Sequence, residues 1–426
     1  MSLLAPAKSV LISGGSIAGP AAAWWLTRYG FKTTIVERWH ELRPGGQGID
    51  VTGEGREIAR RMSLESTILD ANTGERGSIF TEISGAPRVW MPLEKGGFSP
   101  TNETEILRGS FAKVLYDATR DRTEWRFGDQ IGKMVERERG VDVTFQSGRE
   151  ETYDLVVLAD GVGSRTRKLA FPPGDIEFKN LGIYIAYFTI PLEQTDTNVD
   201  QWMITNLPGR RCLSFRPGGD GTLQAFLMWV SPESAGYEKL PQAEQIAAIR
   251  THLLSGSTST SPVVQRALRG LDNVTSLYLE YSGQVKAKTL VSPGGRISMI
   301  GDAAYCGTPI SGAGTTLSLV GAYVLAGELA KHLALSPETF PQAGLEAYQN
   351  FMKPFAEGCQ QLPPGVPQIA LPETEWGIKV LHQVLRTAVW AAKTRVAVWA
   401  RERWWMDEEA VVSSPDYQEY EVGKSA

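Results

Sequence analysis

Three apolar runs, each ending in a glycine-bearing turn and a helical pattern, frame this chain. Val10-Leu-Ile-Ser13 leads into Gly14-Gly-Ser-Ile-Ala-Gly19-Pro20, and Ala21 to Tyr29 then reads as a helix stopped by Gly30. Lys32 to Val36 reads as a second strand, closing on Glu37-Arg38. Leu155-Val-Val-Leu-Ala159 has the continuous apolar character of a parallel strand covered on both faces, and it delivers Asp160-Gly161 at its end. Ser164 can cap the helix that follows, with Arg167 one turn later. The third run, Ser298-Met-Ile300, ends in Gly301-Asp302 and opens, through Pro309 and Gly312-Ala-Gly314, into a long apolar helix.

Between the second and third runs the period changes. Leu181 to Ile190 is rich in β-branched and aromatic residues. Arg211 to Arg216 and Thr222 to Val230 flank Pro217-Gly-Gly-Asp-Gly221, which predicts a hairpin. One helix is expected here, near Gln242–Leu254, and Ser255 to Ser261 reads as a surface loop. After Phe355 a proline-rich connector, Gln361 to Pro372, precedes a helix from Trp376. Ile378, Leu381, Leu385, Ala388, Ala392, Val396 and Trp399 give that helix one apolar face, while Lys379, Arg386 and Lys393 line another. Such a helix either bridges two domains or, with Trp390, Trp399, Trp404 and Trp405, lies on a membrane surface; bridging is the favoured reading. Asp407 to Ala426 is polar and acidic and reads as a frayed end.

The fold class is therefore α/β: a Rossmann-like binding domain built from discontinuous segments, a second domain that is a β-sheet layer, and a C-terminal helix. Residues 1–75, 101–175 and 285–355 make the binding domain; 76–100 and 176–284 make the sheet domain; 356–426 form the connector and bridging helix.

The first unit is a βαβ dinucleotide fingerprint, with an acidic residue about twenty positions on. Gly14 permits the tight turn, Gly19 permits close helix–strand packing, and Glu37 can accept from a ribose hydroxyl. Ser16 stands where the fingerprint has its middle glycine. The Gly301-Asp302 stretch sets an acidic residue at a helix start, where unpaired backbone N–H groups bind anions or carbonyls.

A chain of 426 residues carries two or three domains, and its net charge of −5 is spread without a basic block. That excludes a nucleic-acid surface. Cys212, Cys306 and Cys359 are scattered and odd in number, and the four histidines have no metal-ligand spacing. No disulfide frame or metal site is expected, and a reducing, cytoplasmic setting is. Met1 to Ser9 does not have the character of a signal peptide, and no run of about eighteen apolar residues offers a transmembrane helix.

Together the three motifs resemble the FAD fingerprint, the DG motif and the GD motif of group A, single-component flavoprotein monooxygenases, the para-hydroxybenzoate hydroxylase superfamily, over residues 8–355. Within it the chain is most similar to the tetracycline-inactivating branch. Arg43-Pro-Gly-Gly-Gln-Gly-Ile-Asp50 matches that branch's loop after the second strand, and Glu105-Ile-Leu-Arg108 its flavin-contacting segment. The resemblance implies that Gly14, Gly19 and Glu37 hold the ADP half of FAD, that Ser16 and Arg38 also belong to the cofactor site, and that Asp50 and Arg108 lie on the flavin side. It implies Asp302 at the ribityl or pyrophosphate region, and Asp160 as a bridge between FAD and reductant. Pro309, Gly312 and Gly314 would lie beside the isoalloxazine ring, and Arg43 would contact NADPH. Tyr187, Phe215 and Gln224 resemble pocket-lining residues. Three positions depart from the pattern: Tyr305 replaces a histidine, Thr316 an asparagine and Gly321 an aspartate.

The implied reaction is reduction of FAD by NADPH or NADH, then transfer of one oxygen from a flavin C4a-peroxide to a lipophilic aromatic, polyketide or alkaloid-type molecule. The residues alone also admit a flavin oxidase or dehydrogenase on the same scaffold, and a catalytically silent flavin- or ligand-binding protein. No general base is evident in the sequence.

Overall fold

The computed structural model describes residues 7–43, 45–93, 99–219, 221–362, 365–366, 368–392 and 414–422. The chain begins with β1 (Ser9–Ser13), α1 (Ala18–Arg28), β2 (Lys32–Glu37), β3 (Gly48–Asp50), α2 (Gly53–Arg61) and α3 (Glu65–Asp70). There follow β4 (Gly77–Thr81), β5 (Pro87–Pro92), β6 (Glu105–Leu107), α4 (Arg108–Asp117) and β7 (Glu124–Phe127). Next come β8 (Ile131–Arg137), β9 (Gly140–Phe145), β10 (Glu150–Tyr153), β11 (Leu155–Leu158), α5 (Arg167–Ala170) and β12 (Ile176–Pro191). Then stand β13 (Trp202–Leu207), β14 (Arg211–Pro217), β15 (Thr222–Val230), α6 (Gln242–Leu254), α7 (Pro262–Asp272) and β16 (Ser276–Ala287). The chain closes with β17 (Ile297–Met299), α8 (Asp302–Tyr305), α9 (Gly314–Leu335), α10 (Gln342–Cys359) and α11 (Glu375–Ala392).

All three apolar runs enter one five-stranded parallel sheet, ordered β17-β11-β1-β2-β7. Val10, Leu11 and Ile12, and Leu155 to Leu158, are completely buried. The three-stranded sheet β10-β9-β8 and helices α1, α9 and α10 complete the core. Helix α9 is apolar all round because it is buried nearly throughout, from Thr315 to Ala330.

A second sheet has seven strands, β16-β12-β15-β14-β13-β4-β5. Its back is covered by two helices, α6 and α7, through a core that includes Tyr184, Phe188, Leu213, Leu227, Ile249, Val264 and Leu268. The sequence predicts only the first of them. Ser261 caps α7, its hydroxyl accepting from the Val264 amide at 3.3 Å, with Pro262 in the first turn. The serine-rich stretch is thus a helix start as well as a loop.

The described part of α11 lies against β5 and β13, with Phe80 and His382 rings 6.0 Å apart. Lys393, Val396, Trp399, Trp404 and Trp405, which extend the predicted apolar and basic faces, lie outside the described residues, as does Asp220 of the predicted hairpin turn. Among the described residues, no helix is long and apolar enough to cross a membrane.

The predicted frayed end is corrected over 414–422. Tyr417 is only 1% exposed, stacked edge-on against Tyr323 at 5.2 Å, and its hydroxyl donates to Glu328 at 2.7 Å. It fills a slot that Gly327 leaves open, since a Cβ there would overlap its ring. The Val422 amide donates to Arg28 O at 2.8 Å, and Ser414 is held by Glu54. Tyr417→Ala is therefore expected to destabilise the fold by about 3 kcal/mol, read as a lowered urea midpoint. An unchanged midpoint would show that the docked segment carries no stability.

Candidate active site

The three motif loops emerge at the carboxyl ends of adjacent strands β17, β11 and β1, where open α/β sheets bind ligands. Their backbones touch. The Ala159 amide donates to Ser13 O at 2.8 Å, and the Ile300 amide to Leu158 O at 2.9 Å. Gly14, with φ +113°, has no room for a Cβ beside Ala159 O, and a Cβ at Gly19 would overlap the Gly14 carbonyl. Gly301, with φ +60°, would place one 2.8 Å from Ala18 Cβ. These glycines let the three turns close on one another without side chains between them.

Around this junction the charged groups are sparsely satisfied. Glu37 accepts from the Gly15 amide at 2.8 Å and from the Trp39 amide at 3.1 Å. Ser16 accepts from the Arg108 guanidinium at 3.2 Å, so the residue replacing the middle glycine steadies the arginine. Burial, with Arg43 nearby, pulls that guanidinium below its ordinary value. Asp302 stands at the head of α8, and burial raises its carboxyl above the usual range; the Cys306 thiol and the Arg108 charge oppose the rise. A Cβ on Gly314 would lie 3.9 Å from Asp302 Oδ1, which brings the start of α9, behind Pro309 and Gly312, to the same place. Asp50 accepts from Asn102 Nδ2 at 2.6 Å; burial raises its carboxyl, opposed by Arg216. Arg38 and Arg43 are exposed and flank the Trp39 ring, at 5.7 Å and 5.5 Å.

Asp160 is tied into its own loop. It accepts from the Arg165 and Thr166 amides at 3.1 Å and 3.4 Å and from the Thr166 hydroxyl at 2.9 Å. The Arg167 guanidinium reaches from this loop to Ala303 O at 3.1 Å, joining the second motif to the third.

The sheet faces this junction through alternate residues of β12, β15, β14 and β16. Tyr187 and Gln224 are on that face. Tyr187 packs against Phe226 at 5.2 Å and Tyr278 at 6.4 Å, and Gln224 Oε1 accepts from the Thr189 hydroxyl at 3.2 Å. Phe215 is not. It points the other way, 4% exposed in the core beneath α6 and α7, because its neighbours Ser214 and Arg216 pair with Phe226 and Gln224 across the strands. Both faces of β14 are buried, so polarity did not reveal its parity. Phe226, Tyr278, Glu280 and Arg216 are the cleft-face residues that the sequence did not single out.

A model of the FAD binding domain matches residues 7–362. The chain belongs to the FAD binding domain family. It is 31% identical to the flavin-dependent monooxygenase eupH of Phoma sp, over 96% of this chain and 97% of that protein. It is 32% identical to the monooxygenase CTB7 of Cercospora beticola, over 93% and 95%. Among solved structures, the tetracycline destructase Tet(55) superposes with a TM-score of 0.78 at 26% identity, covering 96% of this chain and 99% of that one. This protein is an FAD-dependent monooxygenase of the group A type, and FAD is its cofactor. The glycine cradle and the carboxylates of Glu37 and Asp302 fit such a dinucleotide, offering backbone amides to phosphates and acceptors to hydroxyls.

Two of the departures from the family pattern compensate each other in this FAD-dependent monooxygenase. The Tyr305 hydroxyl occupies the space where a Cβ on Gly321 would sit, and it hydrogen-bonds Tyr348 at 3.0 Å, which donates to Met299 O at 2.8 Å. Thr316 donates to Thr52 O at 3.1 Å, tying α9 to α2. Gly321→Asp alone is expected to cost about 3 kcal/mol through overpacking and a buried charge. Combined with Tyr305→His it should recover more than half of that in urea denaturation; additive losses would break the link between the two positions.

Proposed function

We propose that the protein uses NADPH or NADH and O2 to hydroxylate or epoxidise a lipophilic aromatic, polyketide or alkaloid-type small molecule, and that it works in the cytoplasm. The observation that carries the substrate class is the aromatic cleft face of Tyr187, Phe226 and Tyr278, set beside the Asp302–Cys306 turn. Stacked and tilted rings on a sheet suit a flat, electron-rich ligand. The structural likeness to a tetracycline destructase supports a polycyclic substrate. The three free cysteines suit a reducing compartment.

Bound FAD supplies the redox and oxygen-transfer chemistry. The chain binds, orients and shields it. Gly14, Gly19 and Glu37 would hold the ADP half, with Ser16 and Arg38 beside them, and Asp302 would accept from the ribityl hydroxyls next to the pyrophosphate. Asp50 and Arg108 contact the flavin side, beside Pro309, Gly312 and Gly314. Arg43, exposed next to Trp39, meets the reductant. Asp160 shapes the loop between FAD and reductant rather than reaching out, because its carboxylate is already engaged. Tyr187 and Gln224 line the substrate side.

The test is anaerobic reduction by NADPH, with and without polycyclic phenols, followed by 18O2. Substrate-stimulated reduction and one labelled oxygen in the product are expected. Reduction by the organic substrate itself, with peroxide released, would make the enzyme an oxidase. Absence of any reduction would make it a silent binder.

A further inference from the structure

Strand β16 carries two polar residues onto the cleft face that the functional reading leaves unused. Leu279 is buried in the core beneath α6 and α7, so alternation turns Tyr278 and Glu280 to the opposite side. The register confirms it: Tyr278 pairs with Tyr187, and Glu280 with Ile185, which is completely buried. The Tyr278 hydroxyl donates to Glu280 Oε2 at 2.9 Å. Helix α8 packs on β16 from the cofactor side and brings Asp302 and Cys306 into the field of this pair. A carboxylate thus stands between the aromatic wall and the start of α8, held by one phenol.

We propose that Glu280 is a catalytic residue that accepts the proton of an acidic ring hydroxyl, a phenol or an enol, on the substrate, with Tyr278 positioning it. This rests on the reading of the protein as a monooxygenase of aromatic substrates, and it supplies the base that the sequence lacked. Oε2 is engaged by Tyr278, so the substrate hydroxyl meets Oε1. The substrate O–H bond breaks, its electron pair stays on oxygen, and the proton moves to the carboxylate and from there to solvent. The oxyanion raises electron density on the ring, which favours attack by an electrophilic oxygen.

The surroundings suit the task. Burial pushes the Glu280 carboxyl up to about 7, the Asp302 charge adds to this, and the Tyr278 bond opposes it. The groups facing it are Tyr278 on its own strand, Tyr187 on β12, and Asp302 and Cys306 on the cofactor side. The Arg108 guanidinium acts on its neighbours Tyr278 and Asp302, but among the described residues no cation shifts Glu280 itself, so its carboxyl stays near 7, in the range where general bases work best.

The experiment is calorimetric binding of 2-naphthol to the FAD-loaded protein between pH 5.5 and 8.5, with 2-methoxynaphthalene as the ring lacking the hydroxyl. Naphthol affinity should rise about tenfold with a midpoint near 7, while the ether shows no such rise. Glu280→Gln should abolish the rise and lose about tenfold in affinity at pH 8. Tyr278→Phe should keep the rise but move its midpoint upward, which simple loss of packing would not do. A pH-independent naphthol affinity, no naphthol binding, or an unaltered profile in Glu280→Gln overturns the proposal. So does loss of flavin from Glu280→Gln, which would assign the residue to the cofactor. The flavin absorption band, read in each sample, separates these failures from a failure of the flavoprotein reading.

Discussion

Asp302→Ala is expected to purify without its yellow cofactor. The carboxylate sits at the head of α8 with the Cys306 thiol as its hydrogen-bonding neighbour and Arg108 as the nearby positive charge. Its burial is costly unless a ligand supplies donors. Hydroxyl bonds to a charged acceptor are worth about 1.5–3 kcal/mol each, so losing two weakens flavin binding about a hundredfold or more. The fold should survive, because the substitution removes a carboxylate that burial already disfavours. Bound flavin per chain and far-UV circular dichroism read the two effects separately. Full flavin occupancy in the variant would remove Asp302 from the cofactor site.

Arg216→Met carries the other large effect, on stability. Arg216 on β14 pairs with Glu75 at 3.0 Å and with Glu105 on β6, and it stacks over Trp202 at 4.1 Å. The Glu75 and Glu105 side chains are 1% and 2% exposed, and Oε1 of each has no hydrogen-bond partner among the described residues. Removing the guanidinium leaves both carboxylates buried and uncompensated, a loss of about 3–5 kcal/mol. Burial pushes the Glu75 carboxyl up to about 7, against the pull of Arg216. Its native value lies above the ordinary 4.5, so the folded state binds more protons through that window. Stability from this group therefore falls as pH rises from about 4.5 to about 7, and the fall should be steeper in Arg216→Met. Urea midpoints at pH 5 and pH 8 measure it, with Glu105→Gln added to the variant as the expected partial rescue. Equal midpoints for variant and wild type at pH 8 would contradict the account of this cluster.

The parallel core was legible because its strands are buried on both faces and read as unbroken apolar runs, with Gly14, Gly161 and Gly301 marking where each ends. The three loops that meet at those strand ends were legible for the same reason. The cleft face was less so. Strands β12, β14 and β15 are apolar on both sides, so sequence does not assign parity: Phe215, which resembles a pocket-lining residue, faces the core, and Phe226 faces the cleft. Glu280 carries no signal in the sequence; only the pairing with Ile185 and Tyr278's bond reveal its setting. Helix α7 had a readable start in Ser261-Pro262, hidden inside a serine-rich run. The docking of Tyr417 had no local signal, because its slot is made by Gly327, far away on α9. Tyr305 and Gly321 looked like two losses, and only their contact shows them to be one exchange.

Convergence of the three separated loops on one FAD can be read by titrating the apoprotein with FAD and following flavin absorbance and fluorescence. A yellow complex saturating at one FAD per chain is expected, weakened in Asp302→Ala. A wild-type chain that is folded by circular dichroism yet takes up no FAD would contradict it.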